Sequence, residues 1–333
     1  MRLCVGTRDM PIDRGLVEVE AQRTAASLRR HRAYRTVVRT LRRDRYLYLM
    51  MLLPLVYFAI FHYWPMYGIT LAFKDFDVGR GISGSPWVGL KYFTQFFANP
   101  YSWKLVRNTV LLRFWQLAFG FPAPILLALL LNELRNERFK RFVQTCSYLP
   151  HFISSVVVAG MVITFLASDG PVNSIVRVLG GEPSPWLQRP EYFRPIYTLC
   201  GIWQHAGWSS VLYLAALTAI NPELYEAAVI DGAGRWHRLR YVTVPGIMPT
   251  VVIMFLLRIG QLLTVDYQMV LLLYSPATYE TADVLGTYVY RRGVLGADFS
   301  YATAVGLFQS VVGLVFLVAS NSLAKRAGET SLW

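Results

Sequence analysis

Six long apolar blocks constrain this chain more than any other feature of its sequence. They run over roughly residues 46–72, 108–131, 143–167, 195–219, 247–274 and 301–321. A helix crossing the hydrocarbon core of a bilayer needs ~20 predominantly apolar residues, and each block is that long. Backbone amides cannot be left unpaired in lipid, so blocks of this kind fold as helices. Composition agrees: 54% of the 333 residues are hydrophobic and 16% are charged, against ~25% charged in a typical soluble domain. The blocks predict an all-α polytopic membrane protein with six transmembrane helices.

A formal charge of +13 would suggest a nucleic-acid partner if it covered one folded face. Its distribution argues against that. Twelve arginines lie in the first 45 residues, and the loops 132–142 and 220–246 and the C-terminus add more: Arg135, Arg138, Lys140, Arg141, Arg235, Arg238, Arg240, Lys325 and Arg326. The loops on the other side carry only ten Lys and Arg. This asymmetry places both termini and the 220–246 loop in the cytoplasm. Residues 1–45 then form an Arg-rich cytoplasmic segment suited to fixing topology and touching anionic membrane lipid. The embedded domain spans 46–325, and a short cytoplasmic tail covers 326–333. The head is too long, and the first apolar block too full, for a secretory signal.

Catalytic patterns are missing. The chain has no G-x-x-x-x-G-K-[ST] loop to cradle phosphates, no H-E-x-x-H and no G-x-S-x-G. Cys4, Cys146 and Cys200 are scattered, and no His, Cys and carboxylate cluster has metal-ligand spacing. Asp75-Phe76-Asp77 is a D-x-D, but a polar turn is expected there, just outside the first block. The expectation is no catalytic residue, no metal and no cofactor bound by this chain.

The stretch PELYEAAVIDGAGRWHRLRYVTVPGIMP, residues 222–249, interrupts two strongly apolar blocks with mixed charge. Pro222 and Glu223 suit a helix start, and Asp231-Gly232-Ala233-Gly234 ends that helix through glycine's freedom. A second short helix through Trp236, Leu239 and Tyr241 carries a basic face, and Pro245 and Pro249 mark the entry to the fifth span. The result is a helix–turn–helix on the cytoplasmic face, apolar against the spans and polar outward.

Glu226-Ala227-Ala228, then Asp231-Gly232-Ala233, then Pro245 resembles the "EAA" loop of ABC-importer permeases. Leu239 departs from that pattern, which usually has Phe there. The likeness extends through WVGLKYFTQFFANPYSW, ASDGPVN, IWQHAGWSSVLYLAAL, YVTVPGIMPT and FSYATAVGLFQS. These segments resemble carbohydrate-uptake permeases of the maltose-transporter type, lipoprotein/polysaccharide-transport branch; only the first 45 residues lie outside it.

The resemblance implies a type I ABC importer transmembrane fold in the bacterial inner membrane. It also implies that Glu226, Ala227, Ala228, Asp231, Gly232, Ala233, Leu239 and Pro245 couple the chain to an ATPase. A second homologous permease subunit, two ATPase subunits holding ATP and magnesium, and an extracytoplasmic solute-binding protein complete the implied assembly. Its cargo would be an oligo- or polysaccharide, with an acidic polymer such as alginate among the candidates.

Polar side chains inside a span are costly and mark candidate paths. Gln204, His205 and Trp208 share one face of the fourth block at helical spacing. Arg258, Gln261, Val265 and Gln268 do the same in the fifth, with Thr264 and Asp266 beside them. Amides, hydroxyls and aromatic faces suit a sugar, and family likeness points to Gln204, His205 and the neighbourhood of Gln261 and Thr264.

Arg258 lies ~16 Å into its helix at 1.5 Å per residue. Two readings stay open for it: an ion pair with Asp266 or with a neighbouring subunit, or, with Arg113, a cationic track for an acidic substrate. Snorkelling to the outer interface is the simpler expectation for Arg113. Helix–helix hydrogen bonding is as good a reading as pore lining for Gln116 and Gln309. The competing function is an ion- or proton-coupled secondary transporter with an Asp266, Arg258 and His205 relay, which would not need the 220–246 spacing.

Overall fold

The computed structural model describes residues 43–326. The Arg-rich head up to Arg42 and the tail from Ala327 lie outside the described residues, as do the expectations placed on them. The described chain is helical apart from one bridge between Lys74 and Trp87. It divides into two units, the first ending at Tyr67 and the second running from Gly68.

In the first unit, α1 (Arg45–Phe58) runs on through a wide turn at Ala59–Tyr63 into tighter 3-10 turns that begin at Trp64. The continuous helix reaches Phe73 and has 29 residues, ample for a span.

The second unit opens with an outer loop bearing α2 (Lys91–Ala98). Asp75 of the D-x-D accepts from Lys91 Nζ at 2.8 Å and from Tyr92 Oη at 2.6 Å. These two bonds hold its carboxyl below the usual carboxylate range, so Asp75 is an anchor of the loop.

The second span comprises α3 (Pro100–Trp115), a wide turn at Gln116–Gly120 and α4 (Pro122–Glu133). It begins at Pro100 and not near residue 108, because Asn99 caps Tyr101 N at 3.0 Å and proline suits a first turn. The polar stretch ahead of the apolar block is therefore part of the same helix.

The third block is broken. The chain passes from α5 (Glu137–Tyr148) through a tight turn at Leu149–Phe152 to α6 (Ser155–Phe165), and the two halves meet at 102°. Pro150 withholds an amide from the helix ladder, and Ser154 restarts it by capping Val157 N. In the following loop α7 (Pro171–Val178) is tied down by buried Asn173, which bonds Ala167 O, Ser184 N and O, and Trp186 Nε1.

The central helix α8 (Pro190–Thr218) has 29 residues. Then come α9 (Pro222–Ile230) and α10 (Arg235–Arg238), which continues through a wide turn into α11 (Val244–Gly260). The fifth rod thus starts at Arg235, and neither Pro245 nor Pro249 breaks it. It also ends at Gly260, not 274. Residues 261–266 form turns, and Asp266 caps a separate helix, α12 (Tyr267–Leu273), through Gln268 N at 3.1 Å. Gln309 from the last helix, α13 (Phe299–Arg326), donates to Leu263 O at 3.2 Å, a bond from that helix to the broken segment.

Among the described residues four helices are long and apolar enough to cross a membrane, or five if the bent α5–α6 pair is counted as one span. The expected sixth, within α8, is long enough but carries Glu191, Arg194, Gln204 and His205.

Small residues set the closest approaches. A Cβ on Gly207 of α8 would fall 1.9 Å from Ser147 O, and one on Gly313 of α13 would fall 2.8 Å from Gly260 O. The first approach seats the α5 terminus and the turn after it directly on α8. Outside the apolar cores, fully buried Asp283 receives both guanidinium nitrogens of Arg291, at 2.9 and 2.7 Å, together with the hydroxyls of Thr287 and Tyr101. Asn108 of α3 donates to Asp283 O and Glu280 O. This network locks the 274–292 segment to the second span.

Candidate substrate cavity and coupling loop

Three helices and a turn enclose a cavity of about 360 Å³. The second span contributes Arg113 and Gln116, α8 contributes His205 and Ser209, α11 contributes Arg258, and the turn between α5 and α6 contributes His151. Its size falls in the range of small-molecule sites.

Arg113 does not turn out towards the interface. It donates to Gln116 Oε1 at 2.8 Å and lies on the cavity wall, and its buried Nε has no partner among the described residues. Arg258 lies at the junction with a second, smaller cavity lined also by Trp208, Leu212, Tyr213 and Met254. No ion pair joins it to Asp266 among the described residues. The end of α11 and the cap at Asp266 explain why: the two are not two turns apart on one helix.

The expected sites divide. His205 and Arg258 line the larger cavity and Trp208 the smaller. Gln204, on the adjacent face of α8, is buried and donates to Ile153 O at 3.0 Å, where it holds the chain entering α6. Gln261, Thr264, Asp266 and Gln268 line neither cavity. Their shared helical face does not exist, because the helix stops first. Sequence reading missed His151. It sits in a six-residue break inside an apolar block, and Pro150 beside it was the available signal.

His151 brings a compact aromatic group. Its Nδ1 lies 3.2 Å from Nδ1 of His205, its ring stacks on Trp208 at 4.9 Å with the planes 1° apart, and Phe152 meets Trp208 edge-on.

The 220–246 loop is built as a capped hairpin. Asn221 accepts from Glu223 N at 3.0 Å and starts α9. At its far end Ala233 N bonds Ala228 O at 2.8 Å and Gly232 N bonds Val229 O at 3.0 Å, a Schellman closure with Gly232 at φ +78°. Glu226 and Ala227 are exposed, while Ala228 and Leu239 are half-buried. Tyr225 Oη bonds Thr243 Oγ1 at 3.0 Å and ties α9 to the base of the fifth rod.

The loop's outward face carries the polar side chains expected, with Glu226, Asp231, Arg235, His237 and Arg240 exposed, and two large apolar ones as well. Ile230 is 86% exposed and Trp236 71%. No part of the loop itself covers these two side chains.

Comparison with known proteins follows this geometry. The family described as binding-protein-dependent transport system inner membrane component matches residues 120–328. The polygalacturonan/rhamnogalacturonan transport system permease protein YteP of Bacillus subtilis is 46% identical over 291 residues, covering 87% of this chain and 91% of that protein. Among solved structures, a chain of a bacterial ABC transporter involved in the import of the acidic polysaccharide alginate is 43% identical. It superposes with a TM-score of 0.81 over 87% of this chain and 98% of its own. A second structure of the alginate transporter, in complex with an alginate pentasaccharide-bound periplasmic protein, agrees equally well, with 43% identity and a TM-score of 0.81. The chain belongs to the family of inner membrane components of binding-protein-dependent transport systems.

Proposed function

We propose that this chain is one of two permease subunits of an ATP-driven importer that carries acidic oligosaccharides across a bacterial inner membrane. The observation that carries the reading is the convergence of Arg113, His151, His205 and Arg258 on one cavity between the spans. Arginines without a carboxylate partner inside a bilayer are costly; among the described residues neither Arg113 nor Arg258 has one, and an anionic cargo in the cavity would stabilise both. Trp208 beside Arg258 offers the apolar face on which a sugar ring stacks. The relatives whose names mention polygalacturonan and alginate are consistent with that chemistry.

In this reading α8 supplies the sixth crossing and both termini are cytoplasmic. Residues 1–45 and 326–333 flank the embedded domain. The chain itself catalyses nothing: ATP and magnesium sit on two separate ATPase subunits. A second permease completes the pathway, and an extracytoplasmic binding protein delivers the sugar. Glu226, Ala227, Ala228, Asp231, Gly232, Ala233, Leu239 and Pro245 form the docking element on the ATPase, with Ile230 and Trp236 as its apolar contacts. Closure of the ATPase dimer draws α9 inward, and the rod beginning at Arg235 carries that movement to Arg258. A proton relay through Asp266 is not favoured, since that carboxylate is occupied in capping α12.

The test is uptake by the reconstituted complex of an acidic and a neutral oligosaccharide of equal length. A lost charge-assisted hydrogen bond costs roughly 1.5–3 kcal/mol, so Arg258→Gln lowers apparent affinity for the acidic sugar ~10- to 100-fold and leaves the neutral one nearly unchanged. Equal loss for both sugars would show that Arg258 is structural and the cavity indifferent to charge.

A further inference from the structure

Two imidazoles meet across the cavity wall, one from the turn Leu149–Phe152 and one from the middle of α8. The Nδ1 atoms of His151 and His205 face each other at 3.2 Å. A contact of that length holds one hydrogen, so one ring donates and the other accepts. A neutral pair satisfies this, and so does a pair with one added proton. A second proton removes the only acceptor and places two N–H groups in the same gap, which drives the rings apart. The His151 ring is backed by the parallel face of Trp208, a surface that favours an imidazolium over it. The charged groups facing the pair are Arg258 from α11, Asp266 ahead of α12 and, across the same cavity, Arg113 from α3.

We propose that the His151–His205 pair is a proton-set specificity element: it holds the cavity in a lower-charge state near neutral pH and adds cationic charge for uronate cargo as the medium acidifies. The inference rests on the acidic-oligosaccharide reading above. Uronate carboxylates stay ionised above about pH 4, and imidazole is the side chain suited to taking up a proton between there and neutral pH, so the cargo keeps its charge while the wall gains it. Opening of the bridge removes one of the ties between the 149–152 turn and α8, whose Trp208 still stacks on His151.

The experiment uses the whole complex in liposomes, with a tri-uronate and a neutral trisaccharide as probes, from pH 7.5 to pH 5.5. Apparent KM and kcat are read separately for each sugar, in the unaltered chain and in His151→Gln and His205→Gln. We expect the preference for the uronate to rise on the order of tenfold in KM over this range, the size of one added charge-assisted bond. In both glutamine variants the ratio of the two KM values stays flat with pH, whatever their kcat for either sugar. Should His205→Gln fail to assemble, His151→Gln carries the same expectation. A uronate preference that rises equally in the variants, or that is constant with pH in the unaltered chain, overturns this inference and leaves the cargo reading intact. Indifference to sugar charge at every pH overturns both.

Discussion

Replacing Asp283 by asparagine tests the largest polar commitment in the second unit. Asp283 is fully buried, and its two oxygens serve Arg291, Thr287 and Tyr101. Asparagine keeps the volume and one acceptor oxygen but sets an amide NH₂ against a guanidinium. Breaking a buried pair by removing one partner costs about 3–5 kcal/mol. The Arg291 side chain is 26% exposed, lies 4.8 Å from the Tyr279 ring centre and donates to Tyr274 Oη at 3.2 Å. These contacts soften the loss of its partner and place the expected cost at the lower end, about 3 kcal/mol. The assay is thermal or denaturant unfolding of the purified complex in a double-mutant cycle with Arg291→Gln. The double variant should recover much of the loss, giving a coupling of ~2 kcal/mol or more. A coupling under ~0.5 kcal/mol, the additivity expected of independent sites, would refute the claim that this pair holds the 274–292 segment on the second span.

In the 220–246 loop, Glu226→Lys should, under the proposed coupling role, leave expression and binding-protein docking intact but uncouple ATP hydrolysis from uptake, since an exposed carboxylate is reversed on the proposed docking face. Gly232→Val should act similarly by forcing a β-branched residue to φ +78°, at a cost of about 1–3 kcal/mol; normal uptake in both, measured with radiolabelled sugar, would remove the coupling assignment. Gly207→Ala should lower the unfolding temperature and weaken uptake together, because its methyl would meet Ser147 O at 1.9 Å and overpacking costs about 1–3 kcal/mol; an unchanged melting profile would mean that α5 moves off α8 freely.

What the sequence determined by itself was local. Apolar blocks of bilayer length placed the helices, and the Asn99–Pro100 and Asn221–Pro222 pairs wrote two helix starts directly into the chain. The glycine at 232 likewise marked where α9 ends, because a helix end is decided by hydrogen bonds between residues at most six apart. The same local rule was available at Asp266, a cap ahead of Gln268. Helical spacing carried across it puts Gln261, Val265 and Gln268 on one face with Arg258, and the break removes that face.

Tertiary structure decided the rest. Arg113, His151, His205 and Arg258 come from four separate stretches, and only the packing of the second span, α8, α11 and a kinked turn makes them neighbours. Tyr101 and Asp283 are 182 positions apart. Periodicity says which face of a helix is polar, not which other helix that face will meet. That choice belongs to close approaches such as Gly207 on Ser147, where the absence of one side chain sets which backbones can touch.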